Sequence, residues 1–403
     1  MQYYVRPVSA LERYSLVLNE VYRYHVEGVL EGKGDVDPIQ LQQAVDQAAS
    51  ANTAIRVRLR GFLKFSRWVD SGIAPQVRKL PLSDWDGHSE QGAYFLTERL
   101  NAMSGSAVAD VLIVPCTDGY TRIIFRTLHA AIDGRGFLHW VAEVCRAMRG
   151  EALLGSNSRL TDLDIQDQYE HQIEPEPPAP PSACIPILAP DEENRETLRY
   201  IWRRVVIDHN VPQMLPRMAL FLADWARQRE IGDVGFTIPI DYRGLRTEEM
   251  GLGNLTGYVR LTVSPDATSR QLMLQLAGRI RAKADCRQFP GIRKLLWLPV
   301  RLMLRQLMPK IDAILHTVTA ALPSGGIVSM GNVFSETYSF PGFEAKMLYG
   351  IPGAVGKLNV VFLNYPTFTV ITFAAPATYN HHGQLDDMIT AVQQHFSKTG
   401  IAT

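Results

Sequence analysis

The sequence predicts an α/β protein of two lobes, and three observations lead there. At 403 residues, 46% of them hydrophobic and 20% charged, the chain has globular composition and enough length for two packed cores. Segments with helical spacing alternate with strand-like runs on both sides of the chain's middle. That middle, "EPEPPAPPSACIPILAPDEEN" over residues 174–194, carries seven prolines, which fix φ and remove backbone donors, so neither a helix nor a central strand fits there. The expected division is an N-terminal lobe over 1–173, a crossover linker over 174–194 and a C-terminal lobe over 195–403.

The elements follow in order. "DPIQLQQAVDQAASAN" offers Asp37 as an N-cap, Pro38 at the first helical position, and Leu41, Ala44, Val45 and Ala48 on one face, so it reads as a helix. The alternation in "AIRVRLRG" then predicts a strand. "DVLIVPC" and "TRIIFRTLH" are β-rich runs separated by the turn-prone "TDG", which predicts a hairpin ending at His129. Beyond the linker, "RYIWRRVVI" reads as a strand, "VPQMLPRMALFLADWARQR" as a helix, and "GFTIPID" and "TGYVRLTV" as strands before the helical "SRQLMLQLAGRIRAK". No short-period repeat occurs.

Composition excludes several functions. Lysine plus arginine equals aspartate plus glutamate, 41 against 41, so no overall field draws the chain to nucleic acid or to an anionic membrane, and only local patches are left open. Cys116, Cys145, Cys184 and Cys286 lie far apart without a C-x-x-C pair, which argues against a disulfide framework or a thiolate zinc site and for a reducing, cytoplasmic setting. "MQYYVRPVSALERYS" lacks the features of a secretory signal, and no run of about 18 apolar residues predicts a transmembrane span. G-x-S-x-G, G-x-x-x-x-G-K-[ST] and strand-borne G-x-G-x-x-G motifs are all missing, which removes the common hydrolase, phosphate-loop and dinucleotide readings.

One stretch concentrates chemistry. In "RTLHAAIDGRGFLHW", residues 126–140, His129 stands at a strand end, where a groove between lobes forms and where its near-neutral pKa suits it to take and return a proton. A tight turn brings Asp133 beneath it, facing either the ring or a cation that locks the turn. Gly134 and Gly136 leave room for a backbone bend or a passing ligand. A lone histidine before a turn is otherwise an ordinary surface or core residue.

"HAAIDG" resembles the H-x-x-x-D-G signature of the superfamily that includes chloramphenicol acetyltransferase, the condensation domains of nonribosomal peptide synthetases, plant BAHD enzymes and polyketide-associated acyltransferases. "PVSALERYS", "DPIQLQQAVDQAASAN" with "AIRVRLRG", "IPIDYRGL" and "LGNLTGYVRLTV" resemble stretches of condensation-like acyltransferases in the same order. The resemblance implies two chloramphenicol acetyltransferase-like α/β lobes meeting at a central tunnel. It implies His129 as general base, Asp133 as a structural partner of an arginine, which Arg243 in "PIDYRGL" fits best, and Gly134 as a position where a side chain intrudes on the tunnel. Asn254 and Gly257 in "GNLTG" match a tunnel-lining segment. In "SMGNVFS", Ser329 and Asn332 are further tunnel candidates, one of them as an oxyanion donor.

The chain also departs from its relatives. Leu128 replaces the first of the two histidines that condensation domains usually carry, and no D-F-G-W-G motif occurs. The resemblance therefore implies a free-standing, monomeric condensation-like acyltransferase. It takes an acyl thioester of coenzyme A or of carrier-protein phosphopantetheine as co-substrate, has no permanent cofactor, and uses a small alcohol or amine acceptor, with an acyl carrier protein as candidate partner. The alternative is a condensation-like module that holds a carrier protein without turnover.

Two remaining features have plain readings. His381 and His382 in "YNHHGQLDD" lack further ligands at metal spacing and read as a polar loop capping a final helix, so no metal is expected. The apolar, basic run over 291–315 suggests a membrane-surface helix, a lipid contact or a carrier docking face, but Pro299 and Pro309 interrupt it, and helices packed into the second lobe are the simpler expectation.

Overall fold

The computed structural model describes residues 4–175, 184–191, 199–288, 291–300, 302, 323–353 and 357–399. Much of the expected linker and residues 303–315 of the basic run lie outside the described residues.

The chain opens with β1 (Val5–Pro7) and α1 (Ala10–Tyr22). A capping box starts α1, Ser9 Oγ accepting from the Glu12 amide while the Glu12 carboxylate accepts from the Ser9 amide. After β2 (His25–Gly34) comes α2 (Pro38–Ala51), with the expected Asp37 cap accepting from the Ile39 amide at 2.9 Å and with Leu41, Ala44, Val45 and Ala48 buried. The strand expected over "AIRVRLRG" is shorter than its alternation implied. Thr53–Arg56 forms a 3₁₀ turn in which Ala54 and Ile55 are both buried, and only β3 (Val57–Arg60) pairs, with β4 (Arg67–Asp70). The turn carries Ala54 and Ile55, neighbours in sequence, into the same core.

After β5 (Gln76–Lys79), β6 (Ala109–Pro115) and β7 (Thr121–Leu128) form the expected hairpin, from Ala109↔Thr127 to Pro115↔Thr121. All of β7 is buried, its apolar centre Ile123, Ile124 and Phe125 flanked by Arg122 and Arg126, whose charges pair with Glu31 and Asp110. Next come α3 (Gly134–Met148), α4 (Asp162–Tyr169), β8 (Tyr200–Ile207), α5 (Met214–Arg227), β9 (Val234–Asp241), β10 (Thr256–Val263) and α6 (Ser269–Arg281). Among the described residues the chain ends with β11 (Gly325–Asn332), α7 (Ser335–Tyr338), β12 (Phe343–Ile351), β13 (Leu358–Asn364), β14 (Thr369–Pro376) and α8 (Gln384–Thr399).

Two large sheets organise these elements. The first has the order β12-β2-β7-β6-β5 and the second β10-β9-β11-β13-β14-β8; β1, β4 and β3 make a small third sheet. A clean break at 174–194 therefore does not describe the molecule. β12 comes from the C-terminal half yet pairs with β2 of the first sheet, from Phe343↔Gly34 to Ile351↔Glu27. Two cores form as the length allows, but the first draws Leu348, Tyr349 and Leu363 from beyond the linker to pack with Val29, Phe125 and Trp140.

Buried ion pairs add ties between the sheets. Glu31 on β2 accepts from Arg122 on β7 at 2.8 Å and from Arg204 on β8 of the second sheet at 3.3 Å. Removing the shared carboxylate would take this ion-pair partner from buried Arg204 and leave Arg122 with Asp118 alone, the situation in which a buried ion pair matters most.

Candidate active site

His129 follows the last residue of β7 and faces a cavity of about 410 Å³ between the two large sheets. Walls come from both: Val26 and Leu348 from the first sheet, Thr256, Tyr258, Ser329 and Val361 from the second, and Gly134 and Phe137 from the start of α3. Strand alternation brings Thr256 and Tyr258 to one face of β10.

The backbone of His129 is held on both sides. Its amide donates to the Tyr24 carbonyl at 3.2 Å, and its carbonyl accepts from Asn254 Nδ2 at 2.9 Å. The imidazole stacks on Tyr24, with centroids 4.5 Å apart and planes 4° from parallel. Nδ1 is buried with no hydrogen-bond partner among the described residues. Burial pushes the His129 pKa below its ordinary value, opposed by its own carbonyl, the Asp133 carboxylate and Asn254. A ring so placed is neutral near pH 7 and keeps a lone pair for a proton.

Asp133 resolves the choice left open by spacing: it faces not the ring but a cation that locks the turn, the Arg243 guanidinium. Arg243 Nη1 and Nη2 donate to Asp133 Oδ2 and Oδ1 at 3.1 and 3.0 Å. The same carboxylate caps α3 by accepting from the Gly136 amide at 2.8 Å, and accepts from the Leu255 amide at 2.9 Å and Thr256 Oγ1 at 3.0 Å. Arg243 is itself fixed by the carbonyls of Gly251 and Gly253 and by Asp241. One buried aspartate thus joins the turn after His129 to the strand entry of the second sheet.

Glycine has different reasons at 134 and 136. Gly134 has no positive φ, and an added Cβ would meet only the flexible end of Met330, Cε at 2.9 Å and Sδ at 3.1 Å. Gly136 abuts backbone, with Leu252 Cα 2.7 Å from the built Cβ, so α3 reaches the 251–255 segment only through a residue without a side chain. Gly134→Ala should therefore fold with a near-normal melting temperature and lose activity selectively toward longer acyl donors. Equal loss for short and long donors, with a lowered melting temperature, would mean that Gly134 serves packing alone.

The other tunnel candidates separate. Ser329 lines the cavity. Asn254 does not; it holds the His129 carbonyl. Gly257 is a correction, because the alternation that turns Thr256 and Tyr258 inward turns Gly257 outward, against the Asp285 carbonyl and the Tyr242 hydroxyl. Asn332 is another, lying exposed at the end of β11 beyond an irregularity in its pairing and outside the cavity wall. Tyr24, Thr256 and Tyr258 escaped the sequence reading. The last two had a usable signal, since they stand two apart on the alternating "TGYVRLTV".

Residues away from the cavity have structural partners. Arg6 of β1, buried, donates to the Ala131 carbonyl at 3.0 Å and to Glu12 of α1 at 2.6 Å, bracing the turn between His129 and Asp133. His381 Nδ1 lies 3.1 Å from Asp191 in a turn before α8, and no group of three or more His, Cys, Asp or Glu among the described residues could hold a metal ion. All four cysteines are free and buried. No helix among the described residues is long and apolar enough to cross a membrane.

No family model and no curated protein matches the sequence. Solved structures do match. The condensation domain from Monacolin K polyketide synthase MokA is 11% identical with a TM-score of 0.59, covering 97% of each chain. The starter condensation domain of rhizomide synthetase RzmA, as a variant in complex with C8-CoA, is 15% identical with a TM-score of 0.63, covering 98% of this chain and 93% of its own. A further variant, with C8-CoA and Leu-SNAC, is 14% identical at a TM-score of 0.63. With both large sheets spanned by these matches, the chain has the two-lobed α/β fold of the condensation domains.

Proposed function

We propose that the protein is a condensation-type acyltransferase, moving an acyl group from a thioester to an amine or alcohol with His129 as general base. The observation that carries this reading is a neutral, backbone-clamped histidine facing a cavity between two sheets, on a turn locked by the Asp133–Arg243 pair. The RzmA complexes, which hold an acyl-CoA and an aminoacyl thioester mimic, support a thioester donor.

The reaction needs no covalent enzyme intermediate. His129 takes the proton from the acceptor N–H or O–H as that atom attacks the thioester carbonyl. The tetrahedral oxyanion collapses, the C–S bond breaks, and the leaving thiolate receives the proton from the imidazolium. Ser329 and Tyr258 are among the hydroxyls on the cavity wall that could donate to the oxyanion. Coenzyme A or carrier-protein phosphopantetheine would supply the thiol; no permanent cofactor, metal or nucleic-acid partner enters the scheme. We place the reaction in the cytoplasm and assign it to a monomer.

Incubating the protein with a pool of acyl-CoA and acyl-N-acetylcysteamine donors and candidate amines and alcohols, read by mass spectrometry, tests this directly. Thioester-dependent ester or amide formation is expected. A protein that retains an acyl carrier protein yet turns over no donor would be the silent binding module instead.

The depressed pKa of His129 fixes the direction of the pH profile. Protonation removes the base, and burial moves that protonation to lower pH, so kcat/KM should stay flat on acidification through about 6.5, the ordinary histidine value, and fall only below it. An acid limb centred well above 6.5 would contradict a neutral, desolvated base.

A further inference from the structure

A second surface, away from the cavity, has its own chemistry. Segments 56–69 and 291–302 contain no aspartate or glutamate and together hold eight arginines and lysines. Arg56 is paired with Asp70, and Arg293 with Asp167. Among the described residues, no carboxylate lies within 4.0 Å of Arg58, Arg60, Lys64, Arg67 or Lys294. Large apolar side chains stand free among these charges: Phe62 is 70% exposed and Trp297 58%, with Phe65, Leu298 and Leu302 exposed beside them.

This face is built rather than incidental. Arg13 of α1, 2% exposed, donates through Nη1 to the Leu63 carbonyl at 2.9 Å and Ser66 Oγ at 3.0 Å, and through Nε and Nη2 to the Leu298 carbonyl at 3.1 and 2.8 Å. One buried guanidinium thereby holds the two aromatic-bearing loops side by side. Lys64 Nζ lies over the Trp297 ring, 4.1 Å from its centroid, and over Phe65 at 5.3 Å. The described part of the 291–315 run therefore packs on the first lobe, not into the second as its sequence suggested.

We propose that this face docks the protein on an anionic membrane surface. Aromatic and leucine side chains among lysines and arginines match the bilayer interface, where rings sit at headgroup depth and cations meet acidic lipids. The chain has no net charge, so the attraction is local and depends on these residues. Two other occupants fit less well. An acidic carrier protein would meet the charges but offers no hydrocarbon interface for the exposed Phe62, Phe65 and Trp297 rings. A second copy meeting the first through the same face would set one basic rim against the other. The proposal does not rest on the acyl-transfer reading.

The test uses the intact protein with vesicles of phosphatidylcholine alone or mixed with phosphatidylglycerol. Trp68, Trp85, Trp140 and Trp202 are buried and Trp225 partly so, which leaves Trp297 as the exposed reporter. Flotation with the anionic vesicles and a blue shift of tryptophan emission are expected, both lost with pure phosphatidylcholine and at about 1 M salt, where screening acts within roughly 3 Å. The double variant Lys64→Glu/Arg67→Glu should lower partitioning about tenfold or more. Phe62→Ala/Trp297→Ala should also weaken flotation, and both should melt close to the wild type, since Phe62, Lys64 and Trp297 face solvent and the half-buried Arg67 donates only to the Lys64 and Ser66 carbonyls of its own loop. Equal binding to both vesicle types, no binding to either, or wild-type flotation by the charge-reversed variant would overturn the proposal. So would a blue shift produced without vesicles, by an acidic carrier protein or by raising the protein concentration.

Discussion

His129→Ala is expected to lower acyl transfer by at least about a hundredfold with the fold intact, the loss typical when a general base is removed. The fold should survive because the imidazole is stacked on Tyr24, and a stacked aromatic pair contributes only about 0.5–1.5 kcal/mol beyond its burial. Both hydrogen bonds that fix this residue come from its main chain and persist in the variant: amide to Tyr24, carbonyl from Asn254. Single-turnover assays with an acyl thioester, paired with a thermal melt, separate chemistry from folding. A folded variant with near-normal turnover would remove His129 from the mechanism.

Asp133→Asn should have the largest effect on stability. Oδ2 accepts from three donors, Arg243 Nη1, the Leu255 amide and Thr256 Oγ1, while Oδ1 accepts from the Gly136 amide and Arg243 Nη2. Whichever way the amide turns, its NH₂ faces donors, and the buried Arg243 guanidinium loses this carboxylate. Breaking such a pair from one side costs about 3–5 kcal/mol. The charge of Asp241 at 2.7 Å from Arg243 softens the loss. A lower melting temperature and reduced soluble yield are expected, with a fall in rate that tracks them. A variant that melts like the wild type yet has no activity would make Asp133 a participant in the chemistry.

Much of the site was legible because it is local. The H-x-x-x-D-G spacing, the hairpin feeding it, and the Asp37 and Pro38 start of α2 are set by neighbours within a few residues, where propensity, capping and turn chemistry act. Arg243 was found because "PIDYRGL" resembled a known stretch, not because anything near Asp133 announces a partner 110 residues away. The direction of Gly257 was misjudged for a local reason: strand parity decides which of Thr256, Gly257 and Tyr258 faces the cavity, and alternation alone does not say which face is inward.

The sequence by itself determined the α/β class, the elements flanking His129 and the turn that follows it, and an even charge balance without an overall field. Only the tertiary structure decided that β12 crosses back to β2, that Tyr24 stacks on the imidazole, that Arg6 braces the turn, and that Arg13 draws two basic aromatic loops into one surface. The reason is physical. Periodicity and capping report the energy of residues close along the chain, whereas strand pairing, ring stacking and a buried guanidinium's choice of carbonyls join residues as far apart as Glu27 and Ile351. Those contacts exist only once both sheets have packed and water has left the space between them.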